Sequence, residues 1–315
     1  MRKDLQKIST KGMSHDEWLQ IRKERIGGSE AGAIIGLSEY ATAVSVWADK
    51  KGITPAKADN EAMRQGRDLE QYVADRFTEA TGKKVRRENN ILVNPDYPFA
   101  HANVDRVIIG EDALLECKTT SVLNTKLFRG TEFPDKYYAQ CVHYLAVTGC
   151  RKIYLAVLIL GNDFKVYELE RDEAEIASLM AAEKEFYGYL QSDEIPPVDG
   201  LKPTTDALGA IFGDGDPDAP DADLTGFEGD IRRYVDLKAE IKAKENDLDL
   251  LANNIKVAMG DSFCGGTERY RVFFKPQTRR SFNSKAFAKD HPELDMDKYY
   301  TETVTRPFSV KERKE

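Results

Sequence analysis

Hydrophobic positions along the first two hundred residues alternate between a helical and a strand-like period. Trp18, Leu19 and Ile21 follow a Ser14-x-x-Glu17 capping box, which predicts a helix opening after Ser14. Gly27 and Gly28 interrupt it, and a second short helix is expected from Ser29. From Asn60 to about Ala80, Met63, Leu69, Val73 and Phe77 fall on or near one stripe and Gly82 follows as a stop, so this stretch reads as a long helix. Strands are expected at Lys84 to Val93, Ala100 to Ile109 and Ala113 to Thr119, the last two joined by a turn at Gly110-Glu111-Asp112. Pro134 suits the first turn of a helix ending before Gly149. Ile153 to Leu160 and Phe164 to Leu169 flank Gly161-Asn162-Asp163 as a hairpin, and Asp172 with Glu175 caps a helix reaching about Leu190. Helices, mixed sheet and helices in this order predict an α/β sandwich around one central mixed sheet.

Beyond residue 200 the pattern changes. Between Lys202 and Arg232 the chain carries seven aspartates with Pro and Gly and no basic residue, which predicts an exposed acidic linker over residues 201–227. It separates a first domain, residues 1–200, from a smaller α+β domain, residues 228–315. The second domain opens with a long helix, Glu228 to Met259, whose apolar seam of Ile231, Tyr234, Ile241, Leu248, Ala252, Ile255 and Met259 is interrupted by Lys238 and Glu245. The seam suits a helical or coiled-coil partner, although packing on its own small sheet is the commoner outcome. Strands around Arg269 to Lys275 and Thr305 to Lys311 are expected to supply that sheet.

Composition narrows the classes. The chain has 315 residues, with 46 Lys plus Arg against 54 Asp plus Glu and a formal charge of −8. Its longest apolar run, Ile153 to Leu160, is too short to cross a bilayer, and the polar N-terminus lacks the apolar centre of a signal peptide. A cytoplasmic protein without a membrane partner is expected. Cys117, Cys141, Cys150 and Cys264 form no CxxC pair, which argues against a zinc knuckle or a disulfide framework. The acidic balance argues against indiscriminate coating of DNA and leaves room for a local basic groove. The densest basic cluster is Lys83-Lys84 with Arg86-Arg87, either a solvated strand start or a phosphate-tracking patch.

Candidate chemistry centres on Asp105 and, eleven residues on, Glu116-Cys117-Lys118. On a strand, Glu116 and Lys118 share one face while Cys117 points the other way. A tight turn brings Asp105 alongside on the neighbouring strand. Two carboxylates that close repel unless a cation sits between them, and hard oxygen donors without a thiolate or imidazole pattern favour Mg²⁺ or Mn²⁺. On these residues alone, an exposed polar strand with a surface ion pair is the simpler explanation, because the motif is short and common. His101 and His143 read as a strand histidine near the surface and a packed helix histidine, with an approach to DNA as the alternative.

Further blocks accompany this segment in a fixed order. They are Trp18-Leu19-Gln20-Ile21-Arg22, Arg25-Ile26-Gly27-Gly28-Ser29-Glu30, Gly36-Leu37-Ser38-Glu39-Tyr40, Gly66-Arg67-Asp68-Leu69-Glu70, and Tyr138-Ala139-Gln140-Cys141-Val142-His143-Tyr144. With them the chain resembles the PD-(D/E)XK nuclease superfamily and, within it, the YqaJ viral recombinase family, which is similar to the lambda exonuclease. The resemblance covers roughly residues 14–190 and implies a restriction-endonuclease-like core. Val104 replaces the superfamily's proline before the first aspartate, a position that supplies no ligand.

The resemblance also implies roles. Asp105 and Glu116 match the metal carboxylates, with the Cys117 main-chain carbonyl as a further ligand and Lys118 as the catalytic lysine. Glu70 matches the helix-borne carboxylate that holds a second ion or its water shell, and Gln140 the glutamine of the following helix. Two Mg²⁺ ions per site are implied, with Mn²⁺ as substitute. Arg22 and Ser29, seven residues apart, match the pair expected to hold a terminal 5′-phosphate, with Arg25 sharing that work. A main-chain N–H cradle at the helix start would help there. A surface helix arginine and a plain N-cap serine are the alternatives.

The implied activity is a Mg²⁺-dependent exonuclease on double-stranded DNA ends, 5′ to 3′ and processive, leaving 3′ single strands for phage-type recombination. A ring-shaped homotrimer and a single-strand annealing partner are implied with it. An endonuclease or nickase, and a DNA-end-binding protein without turnover, are the competing readings.

Overall fold

A computed structural model of the chain describes residues 1–55, 59–192, 194–213, 215–301 and 306–312. The chain divides into two compact units, Met1–Gly213 and Asp214–Glu315.

The first unit opens with a strand the sequence pattern does not announce, β1 (Gln6–Ser9). Helix α1 (His15–Lys23) starts at the expected capping box, in which Glu17 N donates to Ser14 Oγ and Ser14 N donates to Glu17 Oε2. A two-residue strand, β2 (Ile26–Gly27), runs straight into α2 (Gly28–Ile34). An unexpected helix, α3 (Ala43–Lys50), carries its own box made by Thr42 and Ser45, a pairing that a search for Glu or Gln at the third position passes over. Helix α4 (Glu61–Thr81) begins at the Asn60 cap and ends where Gly82 takes φ 71°, a left-handed conformation that other residues resist. Only its second half is buried, through Val73, Ala74 and Phe77; Met63, expected on the same stripe, is 47% exposed.

The expected strand over Lys84 to Val93 is two strands in different sheets, β3 (Val85–Arg87) and β4 (Asn90–Val93). β4 pairs antiparallel with β1, from Gln6 opposite Val93 to Ser9 opposite Asn90. The stretch Ala100 to Ile109 divides likewise into β5 (Ala100–His101), parallel to β2, and β6 (Arg106–Ile108). β7 (Ala113–Thr120) follows the expected turn at Gly110. Next come α5 (Asp135–Thr148), β8 (Lys152–Ile159), β9 (Asp163–Glu170) and α6 (Glu173–Gln191), all close to their expected positions.

The central sheet has the order β3-β6-β7-β8-β9, with β7 and β8 parallel and every other neighbouring pair antiparallel. A parallel pair needs a crossover, and α5 supplies it. Alternation along β7 sorts its side chains: Ala113 and Leu115 pack with Cys117 against Val73, Ala74 and Phe77 of α4, while Leu114 faces the core that holds Val142 and Leu145 of α5. The fold is thus the expected mixed α/β sandwich.

The expected linker is shorter at its start. Residues Lys202–Phe212 form α7, with Pro203 in its first turn, and the helix packs on α3. Thr204 is buried and its hydroxyl donates to Thr42 Oγ1 at 2.8 Å; Ala207 is buried beside it. Ala207, Leu208 and Ile211 give this segment a helical apolar face that its neighbouring aspartates disguise.

In the second unit α8 (Glu228–Met259) spans the expected range. β10 (Cys264–Gly266) pairs with β11 (Arg271–Phe273), which stands where Arg269 to Lys275 was expected. The second expected strand does not form: residues Arg306 to Lys311 are irregular, and Thr305 lies outside the described residues. The small hairpin does not cover the seam, since Ile241 and Leu248 are 57% and 66% exposed. A short helix, α9 (Ser284–Asp290), follows. Among the described residues no helix is long and apolar enough to cross a membrane.

Candidate active site

Arg106 pairs with Leu115 across β6 and β7, so continuing the register by one residue sets Asp105 opposite Glu116. At this point the ladder changes partner: Cys117 N donates to Asp105 Oδ2 at 2.8 Å. Glu116 points to the α5 face and is 3% exposed. Its Oε1 accepts from Lys118 Nζ at 2.5 Å and from Gln140 Nε2 at 2.8 Å, while its Oε2 is buried without a partner. Strand spacing thus brings Asp105, Glu116 and Lys118 together with Cys117 on the opposite face, and α5 adds Gln140, the position that the resemblance implied.

Electrostatics sharpen the picture. Burial pushes the Asp105 carboxyl well above the usual carboxylate range, and Glu116 and Glu70 push the same way against the pull of Lys118. Burial disfavours charge on Lys118 as well, yet Glu116 and Asp105 outweigh it and hold the ammonium protonated far above neutral pH. A buried carboxylate oxygen without a partner costs about 1–3 kcal/mol. Two crowded carboxylates with one orphaned oxygen fit a hard divalent cation, and an all-oxygen set fits Mg²⁺ or Mn²⁺. Among the described residues no three Asp, Glu, His or Cys side chains converge as a ready cage. Glu70, the third carboxylate, is engaged: Arg106 Nη1 donates to its Oε1 at 2.5 Å and Arg87 Nη2 at 3.3 Å.

Arg106 escaped the sequence reading. Its side chain is 2% exposed, and it also donates to the Asp105 carbonyl and to Gln71 Oε1. The available signal is alternation, because a residue next to Asp105 on a strand must face α4, where Glu70 and Gln71 are its natural partners.

A second cluster surrounds the Gly27-Gly28 turn. Arg22 Nη2 donates to Ser29 Oγ at 3.1 Å, and the guanidinium lies 4.3 Å from the Trp18 ring centroid. Arg25 is directed elsewhere, donating to the Pro98 carbonyl and to Glu24. Lys50, unmarked in the sequence, is buried; it pairs with Glu30 at 2.8 Å and donates to the carbonyls of Arg22 and Arg25. Glu30 Oε2 already accepts from Gly27 N at 2.8 Å, so the helix start expected to offer free N–H groups to an anion is partly capped by its own carboxylate. Both glycines allow close approach. A Cβ on Gly28 would sit 2.6 Å from Tyr144 Cε1, and one on Gly27 would sit 3.0 Å from His101 Cε1.

His101 is buried rather than near the surface, being 2% exposed, and its Nδ1 has no partner. Burial, then the nearby Arg22, His143, Lys50 and Arg25, push it down to about 2, so the ring is neutral. His143 is the packed helix histidine expected: Nδ1 meets Glu183 Oε1 at 2.8 Å and Nε2 meets the His101 carbonyl at 2.8 Å. α5 joins the two clusters, since Gln140 Nε2 reaches Tyr144 OH at 3.0 Å as well as Glu116, and the Tyr144 ring lies against Gly28. Of the basic cluster, Lys83 pairs with Glu111, Arg86 with Glu88 and Arg87 with Glu70.

The family model of the YqaJ-like viral recombinase domain matches residues 17–151, a span holding both clusters. The protein YqaJ of Bacillus subtilis (strain 168) is 38% identical over 305 residues, which cover 95% of this chain and 95% of that one. The chain belongs to the YqaJ-like viral recombinase family. Among solved structures, the alkaline exonuclease of Laribacter hongkongensis is similar at 19% identity with a TM-score of 0.48, over 56% of this chain and 93% of that one. A phage-related exonuclease of Haemophilus somnus is similar at 14% identity with a TM-score of 0.42, over 54% of this chain and 96% of that one.

Proposed function

We propose that the chain is a metal-dependent deoxyribonuclease that degrades double-stranded DNA from its ends, 5′ to 3′ and processively, leaving 3′ single strands for recombination. The observation that carries this reading is the pair Asp105 and Glu116, crowded on adjacent strands with Glu116 Oε2 orphaned and Lys118 alongside. Membership in a viral recombinase family supports the recombination setting. In this reading Asp105, Glu116 and the Cys117 carbonyl hold Mg²⁺ or Mn²⁺, and Glu70 joins for a second ion by releasing a guanidinium. A bound divalent cation supplies neutralisation of charge on the phosphodiester and acidifies a neighbouring water. Lys118, kept charged by its carboxylate neighbours, orients the attacking water and stabilises the anionic transition state. Gln140 fixes Glu116 from the helix side. Arg22 and Ser29 receive the terminal 5′-phosphate, the guanidinium by paired N–H donors and the serine by its hydroxyl, with Arg25 free to share the contact only by leaving Glu24. A ring of three subunits would account for processivity, and an annealing protein would take up the product strand.

The test is digestion of linear duplexes labelled at the 5′ or the 3′ end, with and without 5′-phosphate, in Mg²⁺, in Mn²⁺ and in chelator. Metal-dependent release of the 5′ label first, with closed circular DNA left intact, is the expected result. Cutting of the circle would favour an endonuclease or nickase, and end binding without any cleavage would favour a non-catalytic protein.

A further inference from the structure

A basic stretch lies in the second unit of an otherwise acidic chain. Residues 264–289 carry seven Lys and Arg against a single acidic residue, Glu268, while the chain as a whole has a formal charge of −8. Among the described residues none of the seven meets a carboxylate, whereas Lys83, Arg86 and Arg87 are taken up by Glu111, Glu88 and Glu70. Tyr270, Phe273, Phe274 and Phe282 in the same stretch are exposed, Phe273 by 59%. Apolar rings left in water among unpaired cations mark a binding surface.

The β10–β11 hairpin orders part of this surface. A Cβ on Gly265 would sit 3.8 Å from Met259 of α8, so the face that holds Gly265 and its partner Val272 is the inner one. Alternation sends Arg271 and Phe273 to the outer face. There the Arg271 guanidinium lies 5.6 Å and the Lys275 ammonium 5.3 Å from the Phe273 ring centroid. Across the ladder Phe273 meets Cys264 and Arg271 meets Gly266, where a Cβ would stand 2.7 Å from the Tyr270 carbonyl oxygen. Small residues opposite thus leave the ring uncovered, flanked along its own strand by two cations. At the turn the Arg269 guanidinium lies 5.6 Å from the Tyr270 ring, which repeats the pairing.

This combination selects its partner. An acidic peptide would satisfy the cations and leave the rings in water. A duplex offers phosphates but keeps its base faces stacked on one another. A single strand offers both, phosphates for Arg and Lys and unstacked bases for the rings. We infer that the outer face of the β10–β11 hairpin, with the basic segment after it, binds single-stranded DNA, bases stacking on Phe273 and Tyr270 and phosphates meeting Arg271, Lys275, Arg279 and Arg280. The choice of DNA over RNA rests on the nuclease reading above, in which a 3′ single strand is the product.

The experiment titrates the full chain, in chelator, with a labelled oligothymidylate of about sixteen nucleotides, an oligouridylate of the same length, a blunt hairpin duplex and polyglutamate. Phe273→Ala is expected to weaken oligothymidylate binding about tenfold, the scale of one lost base stack, with duplex binding unchanged. Phe273→Tyr keeps the ring and should bind as the wild type does; Tyr270→Ala serves if Phe273→Ala does not fold. Arg271→Gln combined with Lys275→Gln should lower the slope of log affinity against log salt by about 1.4, about 0.7 for each phosphate contact. Wild-type affinity in the folded alanine variant, an equal loss for strand and duplex, or polyglutamate bound as tightly as oligothymidylate overturns the inference. Tighter binding of oligouridylate overturns the choice of DNA. Failure of the nuclease reading shows separately, as end-labelled duplexes left undigested, since the titration requires no cleavage.

Discussion

Asp105 accepts the main-chain N–H of Cys117 through Oδ2, so one carboxylate of the site is tied to the backbone of the strand that carries the other. An amide can accept the same hydrogen bond but cannot contribute a charged donor to a cation. Asp105→Asn is therefore expected to fold and to lose metal binding. In the wild type, Mn²⁺ or Mg²⁺ at a hundred times its dissociation constant is expected to stabilise the fold by about 2.7 kcal/mol and to raise the melting temperature by several degrees. Thermal unfolding with and without the ion checks this; an equal shift in Asp105→Asn removes that carboxylate from the metal site.

Lys118 is charged because Glu116 and Asp105 surround it, and about a quarter of its side chain stays open to solvent. Lys118→Ala is expected to lower the cleavage rate by about 10²–10³-fold, the usual cost of removing one donor aimed at developing charge. DNA-end binding should hardly change. Single-turnover digestion beside a binding titration separates the two effects.

What the sequence made legible follows a physical rule. Elements marked by their own caps and periods, such as α1 from Ser14 and Glu17 or α4 between Asn60 and Gly82, stand where the residues placed them. Asp105, Glu116 and Lys118 meet because strand alternation and a tight turn leave them little choice, while Gln140 reaches Glu116 from α5, a meeting that only the family resemblance implied. What stayed hidden depends on contacts far apart in the chain. β1 exists by pairing with β4, and α7 by laying Thr204 against Thr42. Lys50, Arg106 and His101 acquire meaning only once burial assigns each its neighbours. The thirty-two residues of α8 were legible as a helix, while the cover expected for its seam was not delivered by the small hairpin.

Gly28 is held to a side chain of one hydrogen by Tyr144, whose ring would stand 2.6 Å from any Cβ there. Gly28→Ala must displace Tyr144, the partner of Gln140. A cost of about 1–3 kcal/mol in stability is expected from overpacking, together with slower cleavage through the displaced Gln140. Tyr144→Leu in the Gly28→Ala background should recover stability more than activity, measured by chemical unfolding and digestion of the same samples.

The boundary at Gly213 makes a prediction about truncation. A chain ending after Gly213 keeps α7 on α3, whereas one ending after Asp199 uncovers Thr42 and the apolar ground around Ala207. The longer fragment is expected to melt cooperatively and the shorter one to lose about 2–4 kcal/mol, the scale of exposing a few buried side chains. Equal stability of the two fragments would show that α7 contributes nothing to the first unit.

His143 and Glu183 give the first unit a pH dependence of definite sign. Both His143 nitrogens face acceptors, Nδ1 the Glu183 carboxylate and Nε2 the His101 carbonyl, so only the doubly protonated ring satisfies both. Burial opposes that charge, but the Glu183 carboxylate outweighs it and raises the His143 pKa above its ordinary value of 6.5. The folded state therefore binds this proton more tightly than the unfolded chain. The stabilisation is complete below about pH 6.5 and is lost as pH rises through the raised value. His101 acts in the other window: its lowered pKa means that the unfolded chain binds its proton more tightly, so stability rises with pH up to about 6.5 and then levels. The contribution of these two histidines accordingly peaks near that pH, with the raised Asp105 carboxyl working against the His101 rise on the acid side. Glu183→Gln removes the carboxylate charge; it is expected to cost about 3–5 kcal/mol at pH 6 and to flatten the decline on the alkaline side while leaving the acid side unchanged. The chain's two tryptophans, Trp18 and Trp47, both lie in the first unit, so urea unfolding followed by their fluorescence between pH 5 and 9 reads this directly. A wild-type profile that stays level above its maximum, or a Glu183→Gln profile that declines just as steeply, would show that the imidazole is neutral and the pair uncharged.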